Sequence, residues 1–249
     1  MKKIISLFLA AIMVASTLIL TSCGEDDGVA TLAGKTPEEL YTLSQEKLAD
    51  AASYTINSTQ VIKMSAQGQS MTFNQEVVTE INGDETHLKT SNDLDSSMNM
   101  EVWYVDGVVY SSMLEIKAKA TVDKEAFMQE YMDKDPSEST LLDIPESWYK
   151  NIKFIEDGDD WFVKFTISGD KYTEYFADTG LGGTVKGDVT HKVFFDDEGN
   201  LEKITTFVTL DIEGITTTVE TISTVTIGDV TITAPADADS YQAVDIPGV

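Results

Sequence analysis

No arginine occurs anywhere in the sequence, and there is one cysteine, Cys23, and only two histidines, His87 and His191. The arginine fork is the usual device for gripping phosphate or carboxylate with two parallel hydrogen bonds. Its absence speaks against a site for a phosphorylated ligand. A lone cysteine excludes an intramolecular disulfide, so packing alone must hold the fold. The two histidines lie far apart in the chain, each within a strand-like stretch and without clustered partners. That is no metal or catalytic constellation, and both read as surface histidines of strands. No cofactor is expected.

Basic residues are scarce, 17 against 43 acids, for a formal net charge of −26. Such a surface repels nucleic acid and does not lie flat on an anionic membrane. The acidic runs Glu25-Asp26-Asp27, Asp157-Gly158-Asp159-Asp160 and Asp196-Asp197-Glu198 lack the spacing of a twelve-residue calcium loop and read as turns. No serine stands in a G-x-S-x-G elbow. No residue is a candidate for catalysis, and the chain reads as a non-enzymatic protein.

Long apolar runs are limited to one. Met1-Lys2-Lys3 precedes an apolar stretch over residues 4–20, broken only by Ser6, Ser16 and Thr17. This is the layout of a secretion signal. The stretch ends in Leu20-Thr21-Ser22-Cys23-Gly24, a lipobox, and in this the N-terminus resembles bacterial lipoproteins. The resemblance implies that residues 1–22 are removed, that Cys23 is lipidated with diacylglycerol, and that the protein stays anchored on the extracytoplasmic face of the cell membrane. Loss of the two signal lysines would leave the mature chain still more acidic.

Residues 24–35 are small, acidic and aperiodic, as in a flexible tether. Thr36-Pro37-Glu38-Glu39 then carries the marks of a helix start: a capping threonine, proline at the first position and glutamate three residues after the cap. A helix is expected to about Ala52. From Tyr54 onward threonine, valine, isoleucine and aromatics dominate. Strands are predicted near 55–64, 69–81, 85–94, 97–105 and 108–116, with Asn82-Gly83 and Asp106-Gly107 as hairpin turns. A helical insertion is expected at about 121–150. Strands resume near 152–156, 161–168, 171–177, 189–196, 201–211 and 214–227. A glycine-rich loop is predicted at 179–187, and the C-terminal segment should drape over the surface. Residues 36–249 form one domain, mainly β (α+β). Its antiparallel sheet is long enough to curl, with helices covering the concave face and the convex face wet.

This order, the lipobox, the Trp103-Tyr104-Val105-Asp106-Gly107-Val108-Val109-Tyr110 hairpin and the stretch from Val193 through Asp196-Asp197-Glu198-Gly199-Asn200 to Ile204 resemble the LolA-like and LppX/LprG-like lipoproteins, and small lipoproteins of clostridial-type bacteria. The resemblance implies an unclosed half-barrel plugged by helices, and binding of lipids.

Methionine is distributed unevenly. Beyond the signal, Met64, Met71, Met98, Met100, Met113, Met128 and Met132 all fall in the first half of the sheet and the insertion. Flexible, polarisable methionine suits apolar walls that re-pack around varied ligands. Met98, Met100, Val102 and Tyr104 are expected on one strand face, with Phe127, Met128, Tyr131 and Met132 on a helix lying over them. These eight residues form the candidate ligand site, for an apolar ligand such as an acyl chain. The alternative is an envelope or surface interaction protein binding a protein or glycan. The chain is expected to be monomeric. Cys23→Ala should move the protein from the membrane fraction to the soluble fraction of fractionated cells. Retention of the variant on the membrane at the wild-type level would disprove the anchor.

Overall fold

The computed structural model describes residues 34–114, 116–124, 127, 146–157, 160–178, 183–196 and 198–244. The expected secretion signal, Cys23, most of the expected tether and most of the insertion lie outside them.

Helix α1 spans Pro37–Ala49. Its start is the expected one. Glu39 N donates to Thr36 Oγ1 and Thr36 N donates to Glu39 Oε2, so two otherwise orphaned amides are satisfied reciprocally. Leu40, Tyr41, Ser44 and Leu48 form its buried face.

The strands follow as β1 (Ser53–Ala66), β2 (Gln69–Asn82), β3 (Glu85–Asn92), β4 (Met100–Val105), β5 (Val108–Met113) and β6 (Ile116–Thr121). After the insertion come β7 (Lys150–Asp157), β8 (Asp160–Ile167), helix α2 (Gly169–Asp178), β9 (Thr184–Val185), β10 (Val189–Phe195), β11 (Leu201–Ile212), β12 (Ile215–Ile227) and β13 (Gln242–Ala243). All thirteen join one sheet. Its order is β13-β6-β5-β4-β3-β2-β1-β12-β11-β10-β8-β7, with β9 pairing β11. The first and last strands of this order are not paired to each other, so the sheet is an unclosed half-barrel. The β1–β12 pair stitches the two halves of the chain into one surface, Ile56 facing Val225 and Ile62 facing Val219. Every pairing is antiparallel except β13 with β6.

Burial alternates along the strands. In β1, Ile56, Ser58, Gln60 and Ile62 are buried while Asn57, Thr59, Val61 and Lys63 are exposed. Residues at the first parity face inward, toward the helices. Tyr41 of α1 meets inward Phe165 edge-on, with ring centroids 4.9 Å apart. Phe127, at the start of the insertion, stacks on inward Tyr104 at 4.7 Å.

Four expectations are corrected. Residues 171–177 are helical, within α2, and not a strand. The stretch is short enough for either periodicity to fit, and tertiary packing decides. A Cβ on Gly169 would lie 2.2 Å from Gly187 O, so only glycine lets α2 begin against this segment. The predicted strand 108–116 holds only to Met113, as β5; a turn whose sequence lacks glycine then leads into the separate strand β6. The loop at 179–187 contains strand β9. The C-terminal segment adds β13 to the β6 edge, and its Tyr241 is buried edge-on to Trp103 and Tyr110.

Gly169→Ala should destabilise by about 1–3 kcal/mol, the usual cost of overpacking. Gly228→Ala should be near neutral, since nothing lies within 4 Å of the added Cβ. Thermal unfolding of the two variants side by side tests the packing at α2.

Candidate functional site

Inward residues of adjacent strands line up in rows across the sheet. Gln75, Gln60, Thr221, Thr206 and His191 form one row through β2, β1, β12, β11 and β10. All five are buried. Next to it, Thr90, Ser58 and Ser223 lie in the row that also holds Val77. A band of uncharged polar groups thus crosses the middle of a face that is otherwise apolar.

Part of the band is paired. Gln75 Nε2 donates to Gln60 Oε1 at 3.3 Å, and the Ser58 and Ser223 hydroxyls share a hydrogen bond of 2.6 Å. His191 is held between Thr206 Oγ1, 2.5 Å from its Nδ1, and the Tyr172 hydroxyl of α2, 3.3 Å from its Nε2. Gln75 Oε1 and the hydroxyls of Thr90, Thr217 and Thr221 are buried without a hydrogen-bonding partner among the described residues. Such a group costs roughly 1–3 kcal/mol when it stays unpaired. The strand lysines among the described residues, including Lys63, Lys89, Lys164 and Lys203, all stand at outward positions of the register. The band therefore offers hydrogen bonds, and the described strand lysines stand on the other face.

Apolar surface lies on both sides of it. The larger cluster joins Leu40, Tyr41 and Leu48 of α1 to Val163, Phe165 and Ile167 of β8 and their neighbours. The smaller joins Val102, Tyr104, Val109, Ala120, Val122 and Phe127, with Leu88 and Met100 packed against it.

The sequence-based candidates divide accordingly. Met100, Val102, Tyr104 and Phe127 do meet in the smaller cluster. Met98 does not share their strand face. It closes a 3-10 turn, Ser96–Met98, before β4 and packs on the larger cluster. Met128, Tyr131 and Met132 lie outside the described residues. The described methionines nevertheless gather at one end of the inner face. Met64 is opposite Met71, Met100 is opposite Met113, and Met71 and Met113 are 40% and 45% exposed.

The polar band was missed. Its sequence signal is present, since Ser58 and Gln60 share the parity of Ile56 and Ile62, but isolated polar residues at inward positions read as ordinary strand variation. His191 is corrected: it is wholly buried, not a surface residue. His87 faces outward, half-buried between Glu80 Oε2 at 2.6 Å and Glu101 Oε1 at 3.0 Å, and stacked on Trp103 at 5.0 Å. The two carboxylates approach opposite nitrogens of the ring, so the three do not converge on one point. Asp196 accepts from the amides of Glu198 and Asn200 and from Asn200 Nδ2, and so closes its own turn.

Residues 36–209 match the family described as "Family of unknown function (DUF6612)". No curated protein sequence matches the chain. Among solved structures it is similar to the Mycobacterium tuberculosis lipoprotein LppX, at 9% identity over 78% of this chain and 96% of that one, TM-score 0.38. It is also similar to LprF from Mycobacterium bovis, at 12% identity over 80% and 97%, TM-score 0.41. A putative outer membrane lipoprotein-sorting protein domain from Vibrio parahaemolyticus is similar at 13% identity over 75% and 91%, TM-score 0.29. Likenesses at this level assign neither ligand nor partner.

Tyr41 supplies a check on how dry the larger cluster is. Burial first, then neighbouring Tyr149, push its hydroxyl well above the ordinary tyrosine range, against a smaller opposite pull from Gln45. A raised tyrosine stabilises the fold fully below the unfolded pKa of about 10, and that contribution is lost as pH rises beyond it. Tyr41→Phe should leave stability at neutral pH unchanged or higher and should shrink the alkaline loss. Tyr54, Tyr104 and Tyr241 are also raised, so some loss persists. Denaturant unfolding of both proteins from neutral pH to above pH 10 measures this. An undiminished alkaline loss in the variant would show that Tyr41 is not the group responsible.

Proposed function

This chain belongs to the DUF6612 family, described as a family of unknown function, and we propose that it is a membrane-anchored, extracytoplasmic, non-enzymatic lipoprotein that holds an apolar ligand on the inner face of its half-barrel. The observation that carries this reading is the methionine wall. Met64, Met71, Met100 and Met113 occupy inward register positions, the parity that elsewhere holds buried residues such as Ile62, Phe73 and Val102, yet Met71 and Met113 are substantially exposed. Exposed side chains on the core-facing side of a sheet form an apolar surface left for something else to cover.

Hydrocarbon laid on that wall gains about 0.8 kcal/mol per buried methylene. The band favours a ligand with an uncharged hydrogen-bonding group between or beside its apolar arms, because the oxygens of Gln75, Thr90 and Thr221, which lack a partner among the described residues, would be satisfied. Lipid on Cys23 would keep the protein beside the membrane that supplies the ligand.

A second reading, recognition of a protein partner, draws on the convex face. Phe207 is 52% exposed and, like Val61, stands opposite Glu220, with exposed Ile222 two residues further on β12.

Organic extraction of purified protein followed by mass spectrometry should release a lipid. Delipidated protein should bind an uncharged fluorescent lipid, a pyrene-labelled diacylglycerol, and Met100→Asp should weaken that binding by about tenfold or more, since a carboxylate there must be desolvated against hydrocarbon. Because Met100 is only half-buried, the thermal midpoint should fall by only a few degrees. Absence of probe binding by delipidated wild type would refute the lipid reading and leave the convex face as the site.

A further inference from the structure

We propose that the ligand of the inner face is a diacyl lipid with a free hydroxyl, of which diacylglycerol is the simplest, and that Gln75, Thr90 and Thr221 select its polar centre; the inference deepens the ligand reading above and rests on it. The carrying observation is the state of the Gln75 carboxamide. It is wholly buried, and its Nε2 is spent on Gln60 Oε1 at 3.3 Å. Its Oε1 has no hydrogen-bonding partner among the described residues. A carboxamide oxygen only accepts, so whatever satisfies it must bring a donor. The hydroxyls of Thr90 and Thr221, buried at 1% and 0% exposure, also lack a partner among the described residues. A hydroxyl can donate as well as accept. Each of these groups weakens the fold while it stays unpaired.

Position decides what kind of molecule carries the donor. Gln75 is on β2. Thr90 is on β3, the next strand, and Thr221 is on β12, two strands to the other side, about 5 Å and about 10 Å away across the sheet. The acceptor thus lies between two groups that can donate. Its complement is a hydroxyl flanked by ester carbonyls. Apolar surface leaves this point in two directions. Thr90 is opposite Met100, which is opposite Met113. Along β1 and β2 the inward positions continue through Ile62 and Phe73 to the facing pair Met64 and Met71. Met113 and Met71 are exposed, so both runs end in open surface. Two runs from one polar centre match two acyl arms.

Other lipid classes fit less well. A triacylglycerol brings acceptors and no donor, and it leaves Gln75 Oε1 unpaired. An ionised fatty acid also lacks a donor, and its charge would be desolvated on the face opposite the described strand lysines. A phospholipid adds a phosphate in a chain that has no arginine to grip it. An alkane satisfies none of the three oxygens.

The test uses the full chain freed of non-covalently bound lipid, and four pyrene-labelled probes of matched chain length: a diacylglycerol, a triacylglycerol, a fatty acid and an alkane. Wild type should bind the diacylglycerol about tenfold more tightly than the triacylglycerol, the worth of one satisfied hydrogen bond. Gln75→Met removes the acceptor and should abolish that preference. Thr90→Val and Thr221→Val each remove an unpaired hydroxyl and keep a β-branched side chain. They should leave the thermal midpoint unchanged or raise it, while weakening diacylglycerol binding severalfold relative to the alkane. Equal binding of diacylglycerol and triacylglycerol by wild type would overturn the inference and leave the ligand reading standing. Binding of none of the four probes would bring down the ligand reading and the inference with it. A midpoint lowered by several degrees in both threonine variants, with diacylglycerol binding intact, would overturn the inference in favour of buried water that bridges these oxygens.

Discussion

One-sided burial in a single open sheet is the constraint on which the rest of this structure depends. Strand side chains alternate, so a sheet with a wet outer face must hide everything on its inner face. No second sheet is available among the described residues. The cover is helical: α1 lies on Phe165 through Tyr41, α2 reaches His191 through Tyr172, and Phe127 stacks on Tyr104. Each covers a different part of the face. Beyond the cover that the described helices give, at the end bearing Met71 and Met113, inward side chains are exposed. Uncovered apolar surface arises there as a consequence of the architecture.

The chemistry of that face follows from what it omits. Lysines in the strands point outward, and several lie over aromatic rings, as Lys203 does over Phe194 at 3.9 Å and Lys192 over Phe162 at 4.6 Å. Such contacts keep the cation at the water interface while its stem covers apolar surface. The inner face is left with amides, hydroxyls and one buried imidazole. A charged group there would have to be desolvated, and no lysine of the described strands is placed to neutralise it.

Much of the fold was legible because local and global signals agreed. Thr36, Pro37 and Glu39 specify a helix start by capping chemistry alone, and Asp106-Gly107 specifies a hairpin by backbone geometry alone. Such features need no distant partner. The misreadings occur where a distant partner decides. Residues 171–177 fit either period, and it is the close approach of Gly169 to Gly187 that commits them to a helix. His191 looks like any strand histidine until Thr206 and Tyr172, from two other elements, close around it. The β5–β6 turn escaped notice because Leu114, at φ +53°, is the wrong residue for a turn by local rules.

Composition and order by themselves determined the acidic, disulfide-free character of this protein, its helix-then-strands plan, the parity that turns Met100, Val102 and Tyr104 to one side, and the concentration of methionine in one half of the chain. These are properties of single residues or of near neighbours. Only the tertiary structure decided that β1 and β12 join the halves into one sheet, that Gln75, Gln60, Thr221, Thr206 and His191 fall into one row, and that Met98 parts company with Met100. The physical reason is that sequence periodicity encodes which way a side chain points, whereas strand register across residues more than a hundred positions apart encodes what it meets.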